Sequence, residues 1–387
     1  GHCARRCGGS GALGAGMRLF LIAGEPSGDR LGAALMAGLR QLVPDVTFEG
    51  VGGPLMQAQG LASLFPMEEL SIFGIAEVLP KYFHLKRRIR QTAEAALARA
   101  SAAVITIDSP DFCLRVAAIV KAAQPDLRTI HYVAPSVWAW RPGRAAKMAR
   151  VIDHVLALLP FEPPYMTAAG MSCDFVGHPV VTEALATPEE TSLMAGEGPL
   201  ILTLPGSRKG EVTRLAPVIG QVLAQVKAVH PKARVALPTL RGVAGLVRDL
   251  SADWPITPQI IEDPALKRAA FAAADVAIAA SGTVSLELAA NACPMVIAYD
   301  MHPVSLWLMR RAARIDTVTL VNLVSDTRAV PEFIGERCRA DLIAPEVLRL
   351  LADGGAQAEA MRITMQRLGA GGEPPGLRAA RSVLSVL

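Results

Sequence analysis

The chain has 387 residues, more than one hydrophobic core ordinarily supports, so we expect two domains. Its composition, with 51% hydrophobic and 19% charged residues, excludes an intrinsically disordered chain. The net charge of +4 is too small to indicate a nucleic-acid partner, and we expect none.

The first 16 residues are Gly-rich and contain no apolar run, so we expect a disordered tail rather than a secretory signal. Met17 directly precedes the first strand pattern and is the expected functional start. No stretch reaches the roughly 18 uncharged apolar residues of a membrane span. The six cysteines form no CxxC pair, so the sequence predicts no zinc site and no disulfide framework. We expect a cytoplasmic protein without metal or cofactor.

Short apolar runs alternate with amphipathic helical runs from Met17 onwards, which predicts an α/β protein with parallel sheets. Predicted strands in the first half are 17–23, 48–51, 102–107, 129–133, 155–159 and 174–176. The pattern dissolves around 182–198 and restarts with strands at 200–204, 234–237, 256–261, 276–279 and 295–298. We therefore expect two doubly wound, Rossmann-like domains, at 17–185 and 198–387, facing a central cleft.

Three segments of the first half end predicted strands with polar residues. Gly24, Ser27, Gly28 and Asp29 follow the first strand without the GxGxxG spacing of a nicotinamide site, and we assign them to the acceptor side. Asp108 and Asp111 follow a buried strand, and we expect Asp108 to be a general base and Asp111 a helix cap. Ser136, Trp138 and Trp140 form either a ligand wall or a hinge packed by two indoles.

The segment 67–92 combines apolar residues with a basic end. Its predicted membrane contacts are Ile72, Phe73, Phe83, Lys86, Arg87, Arg88 and Arg90. An apolar stretch beside clustered cations is typical of a helix on an anionic membrane surface. A core-facing helix with a solvated basic end is the alternative.

Two loops of the second half are candidates for binding a nucleotide. Gly206, Ser207 and Arg208 lie between a strand and a helix, where amide groups and the helix N-terminus favour an anion. Ser281, Gly282 and Thr283 end another strand, and Glu287 follows about one turn later, where its carboxylate suits ribose hydroxyls. Both loops could instead be ordinary helix caps with solvated charges.

Taken together, these segments resemble the bacterial lipid-A-disaccharide synthases. The most specific match is the string Pro-Ser-Val-Trp-Ala-Trp at 135–140, and others are Ala-Gly-Glu-Pro-Ser-Gly-Asp at 23–29, Ile-Asp-Ser-Pro-Asp-Phe at 107–112 and Leu-Pro-Gly-Ser-Arg at 204–208. Cys113, Thr182 and Asp300 depart from the residues usual in the family. The similarity runs in order from Met17 to the C-terminal helices.

The resemblance implies a glycosyltransferase-B fold and an inverting, metal-independent transfer. The implied donor is UDP-2,3-diacylglucosamine, the acceptor is 2,3-diacylglucosamine 1-phosphate, and the products are the β-1,6-linked disaccharide and UDP. Asp108 would deprotonate the acceptor, Arg208 would stabilise the diphosphate, and Glu287 and Asn322 would contact the UDP-sugar. The protein would associate peripherally with the cytoplasmic face of the inner membrane.

Two other functions fit the same patterns. The chain could resemble a UDP-N-acetylglucosamine 2-epimerase or another enzyme acting on soluble sugars. It could also be a membrane-surface protein that binds a nucleotide without catalysis.

Overall fold

The computed structural model describes residues 16–70, 75–139, 143–301, 307, 311 and 315–387, with the backbone alone for 75–82. The strands are β1 Arg18–Ala23, β2 Thr47–Val51, β3 Ala62–Ser63, β4 Ala103–Ile107, β5 Arg128–Tyr132, β6 His154–Ala157, β7 Ser172–Phe175, β8 Leu200–Leu204, β9 Arg234–Pro238, β10 Pro258–Ile261, β11 Val276–Ala279, β12 Met295–Tyr299 and β13 Glu332–Ile334.

The described helices alternate with these strands. They are α1 Pro26–Leu42, α2 Pro54–Ala58, α3 Ile75–Ala98, α4 Pro110–Ala123, α5 Gly143–Met148, α6 Pro163–Ala168, α7 Pro188–Ser192, α8 Lys209–Val229, α9 Ala244–Ser251, α10 Pro264–Ala273, α11 Val284–Ala290, α12 Leu320–Ser325, α13 Ala340–Ala352, α14 Gly355–Arg367 and α15 Pro375–Ser385. Short 3₁₀ turns occupy Met67–Leu70, Pro179–Thr182 and Gly335–Arg337.

The strands form two parallel sheets, as the alternation predicted. The first sheet has the order β3-β2-β1-β4-β5-β6-β7, and the second has the order β10-β9-β8-β11-β12-β13. In each sheet the order reverses beside the first strand of the unit, where β1 pairs with β4 and β8 pairs with β11. Ligands of such sheets bind at the carboxyl ends of the strands near this reversal.

Strand β1 shows why the first sheet is covered on both faces. Leu19 and Leu21 pack into a core with α1 and α15, whereas Phe20 and Ile22 pack into another with α3 and α4. All four side chains are fully buried. A strand buried on both faces reads as a continuous apolar run, which explains why the sequence predicted these central strands well.

The chain divides into two compact units. The first comprises Gly1–Val137, Arg141–Pro179 and Glu373–Leu387, and the second comprises Trp138–Trp140 and Val180–Gly372. The assignment of all residues after 198 to the second domain is therefore wrong for α15. Gly376 allows α15 to approach α1 closely, because a Cβ there would lie 2.6 Å from the carbonyl oxygen of Ala34.

Other boundaries also differ from the expectation. Helix α1 begins at Pro26 and so includes Ser27, Gly28 and Asp29, because proline is well accommodated in the first helical turn. The segment 182–198, where the strand and helix pattern dissolves, contains α7, whose N-terminus has a capping box between Thr187 and Glu190. The expected tail falls largely on residues 1–15, which lie outside the described residues.

Candidate functional site

Asp108 lies at the carboxyl end of β4, in the middle of the first sheet. Its amide donates a hydrogen bond to the carbonyl of Tyr132 (3.0 Å), and the Ser27 hydroxyl donates to its Oδ2 (3.3 Å). Asp108 and Ser109 both have left-handed backbone conformations, with φ of 52° and 43°. The chain therefore turns sharply out of the strand at Asp108 before α4 begins.

Backbone strain is concentrated at this sheet edge. Val133, at the end of the neighbouring strand β5, has a φ of 86°, which is rare for a β-branched residue. Such conformations cost on the order of 1–3 kcal/mol each and occur preferentially at functional sites. The cluster of Asp108, Ser109 and Val133 independently favours a functional role for this edge.

Glu25 provides a second carboxylate at the same edge. The register of β1 against β4 pairs Ala23 with Ile107, so the residues that follow each strand are neighbours. Burial, and then the negative charge of Asp108, raise the pKa of the Glu25 carboxyl. No role was predicted for Glu25, which lies two residues after β1; only the strand order shows that this carboxylate is near Asp108.

Two glycines allow the chain segments at this edge to approach each other. A Cβ on Gly24 would lie 2.7 Å from the Ser109 hydroxyl oxygen, and one on Gly28 would lie 3.3 Å from the Ile107 carbonyl oxygen. Both predicted glycines therefore lie beside the turn that presents Asp108.

Asp29 has a structural role at the start of α2. Its carboxylate is 3% exposed and accepts hydrogen bonds from the amides of Gly53, Leu55 and Met56 at 2.9–3.0 Å. It thereby satisfies the free amides at the N-terminus of α2. The assignment of Asp29 to the acceptor side stays a prediction.

Asp111 does not cap α4. The N-cap position belongs to Ser109, and Asp111 is an exposed residue of the first helical turn. Proline at 110 allows the helix to begin before Asp111, which places Asp111 inside the first turn.

The aromatic segment is only partly described. Ser136 is exposed, Trp138 is 8% exposed, and Trp140 lies outside the described residues. The burial of Trp138 favours packing over a ligand wall for that indole.

In the second unit, a pocket of about 440 Å³ lies at the carboxyl ends of β8 and β11. Both predicted nucleotide loops line it. The lining residues are Leu204, Gly206, Ser207, Arg208, Glu211, Pro238, Thr239, Leu240, Lys267, Phe271, Ala280, Ser281, Gly282, Thr283, Val284 and Glu287. Residues about 75 positions apart in the sequence therefore converge on one volume suited to a small ligand.

The first loop presents a cation at the N-terminus of α8. Gly206 has a φ of 112°, which few residues other than glycine adopt. The Glu211 carboxylate accepts hydrogen bonds from the amides of Ser207 (3.1 Å) and Arg208 (3.3 Å). The Arg208 guanidinium is 3.2 Å from the same carboxylate, and its side chain is 81% exposed. An internal carboxylate thus occupies the amides that were predicted to bind a phosphate.

The second loop turns at Gly282, whose φ is 138°, before α11 begins at Val284. Glu287 accepts a hydrogen bond from the Lys267 ammonium at 2.6 Å, and both line the pocket. Lys267 was not among the predicted residues, because its contact with Glu287 joins two helices and leaves no local signal in the sequence.

Asn322 lies outside this pocket lining and has a structural role. Its side chain is 1% exposed, donates to the Thr317 hydroxyl and the Val330 carbonyl, and accepts from the Val330 amide. These bonds join the start of α12 to the chain before β13. The contact of Asn322 with the UDP-sugar stays a prediction.

The predicted membrane segment is divided between exposed and structural side chains. Phe83 is 80% exposed, and Lys86, Arg87 and Arg90 are exposed on the same helix, α3. Arg88 instead forms two hydrogen bonds of 2.8 Å with Glu69 and lies over the Phe65 ring, so its role is structural. The bond from Arg88 also lowers the pKa of the Glu69 carboxyl.

Ile72 and Phe73 lie outside the described residues. Within the described part of the chain, no helix combines the length and apolarity needed to cross a membrane. In the same residues, no three His, Cys, Asp or Glu side chains are grouped closely enough to hold a metal ion.

Comparison with known proteins identifies relatives along almost the whole chain. The model of the lipid-A-disaccharide synthetase family matches residues 19–375. A lipid-A-disaccharide synthase of Ruegeria pomeroyi is 61% identical over 384 residues, which cover 96% of both chains. One from Rhodospirillum centenum is 47% identical over 378 residues, covering 95% of this chain and 94% of the relative.

Solved structures share the fold at low sequence identity. A UDP-GlcNAc 2-epimerase from Neisseria meningitidis matches with a TM-score of 0.62 and 10% identity, covering 96% of this chain and 98% of that one. A glycosyltransferase from Rickettsia africae matches with a TM-score of 0.59 and 12% identity, covering 97% and 98%. These similarities confirm the predicted class of two Rossmann-like domains.

Proposed function

Because the chain belongs to the lipid-A-disaccharide synthase family, we propose that it transfers 2,3-diacylglucosamine from its UDP derivative to 2,3-diacylglucosamine 1-phosphate. The products are the β-1,6-linked disaccharide 1-phosphate and UDP. The structural observation that best supports this proposal is the pocket at β8 and β11, where both predicted nucleotide loops meet. Its cation, helix N-terminus and carboxylate suit a nucleoside diphosphate.

The proposed roles follow from the chemistry of each group. Asp108 accepts the proton of the acceptor 6-hydroxyl, because its carboxylate follows a central strand and is only partly buried. Arg208 neutralises the departing diphosphate, and Glu287 binds the ribose hydroxyls. Asp108 and Arg208 belong to different units. Variants of Asp108 therefore test proton transfer, and variants of Arg208 test stabilisation of the diphosphate.

The fold alone does not distinguish this reaction from epimerisation, because the same architecture supports both activities. The family relationship favours transfer between acylated sugars. A nucleotide-binding protein without catalysis would not need the strained carboxylate edge around Asp108.

The proposal is tested by measuring UDP release with purified protein. We expect release from UDP-2,3-diacylglucosamine only when 2,3-diacylglucosamine 1-phosphate is present, and none from UDP-N-acetylglucosamine with the same acceptor. Conversion of UDP-N-acetylglucosamine into its 2-epimer would support the epimerase instead. Binding of UDP without any turnover would support the non-catalytic alternative.

We further propose that the protein acts peripherally at the cytoplasmic face of the inner membrane, where both acylated substrates would be available. Phe83, Lys86 and Arg90 support this, because residues three, four and seven positions apart share one helix face and all three are exposed. Each cation near an anionic surface contributes about 1 kcal/mol of attraction, which salt weakens.

Phe83→Ser should reduce co-sedimentation with vesicles that contain an anionic phospholipid, because an exposed aromatic ring inserts at the membrane interface. UDP affinity should not change, since Phe83 belongs to the first unit and the pocket to the second. Leu55→Ser is the matched control, because Leu55 is also an exposed apolar residue of the first unit, at 48%. Equal loss of binding in both variants would contradict a specific role for Phe83.

A further inference from the structure

A second pocket, of about 300 Å³, lies between α3 and α4 of the first unit. Leu85, Ile89, Ala118 and Ile119 supply its apolar lining, and Ile119 is 38% exposed there. We call it the α3–α4 groove. None of its residues belongs to the carboxylate edge or to the nucleotide pocket described above.

Three cations complete the lining of the α3–α4 groove: Lys86, Arg90 and Arg115. All three are exposed, and their side chains form no hydrogen bond or ion pair with another described residue. Among the residues that the structure describes, no acidic one lines the groove. An apolar lining combined with uncompensated positive charge is complementary to a lipid that carries both an acyl chain and an anionic group.

The volume and position of the groove indicate which lipid it suits. About 300 Å³ is the lower end of the range for ligand pockets, which fits one acyl chain better than a whole glycolipid. Helix α4 begins at Pro110, directly after Asp108 and Ser109. Arg115 lies five residues further, about 7.5 Å along the helix axis. An acyl chain attached to a sugar bound beside Asp108 would be long enough to reach Arg115.

We propose that the α3–α4 groove binds an acyl chain of the anionic acceptor, with Lys86, Arg90 and Arg115 attracting its phosphate-bearing head. This inference rests on the proposed function, because that function supplies an acceptor with both an acyl chain and a phosphate. It assigns Arg115, Ala118 and Ile119, which the sequence analysis did not identify, to acceptor recognition.

The test uses Ile119→Trp, which fills the groove, and Arg115→Gln, which removes one cation without adding bulk. With both substrates in detergent micelles, each variant should raise KM for the acceptor and leave KM for the donor unchanged. We expect about a tenfold rise for Ile119→Trp, because each methylene group excluded from an apolar site costs several-fold in affinity. The difference in acceptor KM between each variant and the unmodified protein should become smaller as the acceptor's acyl chains are shortened.

Leu55→Trp and Arg144→Gln are the matched controls, because both are exposed residues elsewhere in the first unit. Thermal unfolding without ligand checks that each variant folds. A second arm measures the rise in unfolding temperature caused by the acceptor alone, which should be smaller in the groove variants. This arm does not depend on turnover, so it tests the groove even if the unmodified protein releases no UDP. Absence of UDP release would refute the proposed function alone.

Two results would overturn the inference. One is an unchanged KM and chain-length dependence for the acceptor, combined with weaker binding to phosphatidylglycerol vesicles, which would make the groove a phospholipid site. The other is an equal rise of KM for donor and acceptor in Ile119→Trp.

Discussion

Replacing Asp108 should lower the rate of transfer by about 10²- to 10⁴-fold, the usual contribution of a positioned general base. In the proposed reaction the Asp108 carboxylate takes the proton of the acceptor hydroxyl as its oxygen forms a bond to the anomeric carbon of the donor. The bond from that carbon to the β-phosphate oxygen breaks, and UDP leaves with the electron pair. Attack opposite the leaving group inverts the anomeric configuration.

The choice of substitution matters because Asp108 has a φ of 52°. Asparagine tolerates this left-handed conformation, whereas alanine adds backbone strain. Asp108→Asn is therefore the cleaner variant, and it should lose transfer as fully as Asp108→Ala. UDP affinity should persist in both, since the nucleotide pocket belongs to the second unit.

Asp111→Asn is the matched control, because Asp111 is an exposed carboxylate three residues away on α4. It should retain near-normal turnover. Normal turnover of Asp111→Asn, together with loss of turnover in Asp108→Asn, would support Asp108 as the base. If instead Asp111→Asn is inactive and Asp108→Asn turns over normally, the two assignments are reversed.

The sequence predicted the sheets, and the position of both candidate nucleotide loops at a sheet edge, for one physical reason. Central parallel strands are buried on both faces, so they appear as apolar runs, and the polar residues that follow them must lie at the carboxyl edge. Arg208 and Glu287 accordingly line one pocket at the carboxyl edge of the second sheet, and Asp108 lies at the carboxyl edge of the first sheet. Neither inference required knowledge of a distant partner.

The sequence did not reveal the partners of several polar side chains, because those partners lie elsewhere in the chain. Arg88 pairs with Glu69, and Asp29 binds amides of the α2 turn, so these charges serve the first unit's own structure. The side-chain amide of Asn322 likewise forms hydrogen bonds with the backbone of Val330, eight residues later in the chain. A sequence shows that a side chain can form hydrogen bonds but does not show which group it meets.

Helix α15 shows the same limit at the level of whole elements. Its amphipathic pattern predicted a helix, but an apolar face fits either sheet equally well. The contact that decides its place is specific: Ser382 bonds His154 at 2.8 Å and Asp174 at 2.7 Å, both in the first sheet. Such partners lie more than 200 residues away in the sequence.

Arg208→Ala should lower kcat/KM by about 10²- to 10³-fold, the effect of removing one group that stabilises charge developing in the transition state. Arg208→Lys should cost less, because it keeps the charge and loses only the bidentate geometry. Stability should hardly change, because the Arg208 side chain is 81% exposed and surface ion pairs contribute little. Thermal unfolding of each variant provides that check, and Arg214→Ala, an exposed arginine further along α8, is the matched control.

Binding of UDP and of uridine separates a diphosphate contact from general support of the pocket. In the unmodified protein, UDP should bind more tightly than uridine, and Arg208→Ala should remove much of that difference while leaving uridine affinity intact. Glu211 offers a second test, because its carboxylate accepts hydrogen bonds from the two amides that a phosphate would bind. Glu211→Gln should relieve charge repulsion and strengthen UDP binding specifically. Arg208 would have no diphosphate role if its loss weakened uridine and UDP equally, since uridine carries no phosphate for a guanidinium to bind.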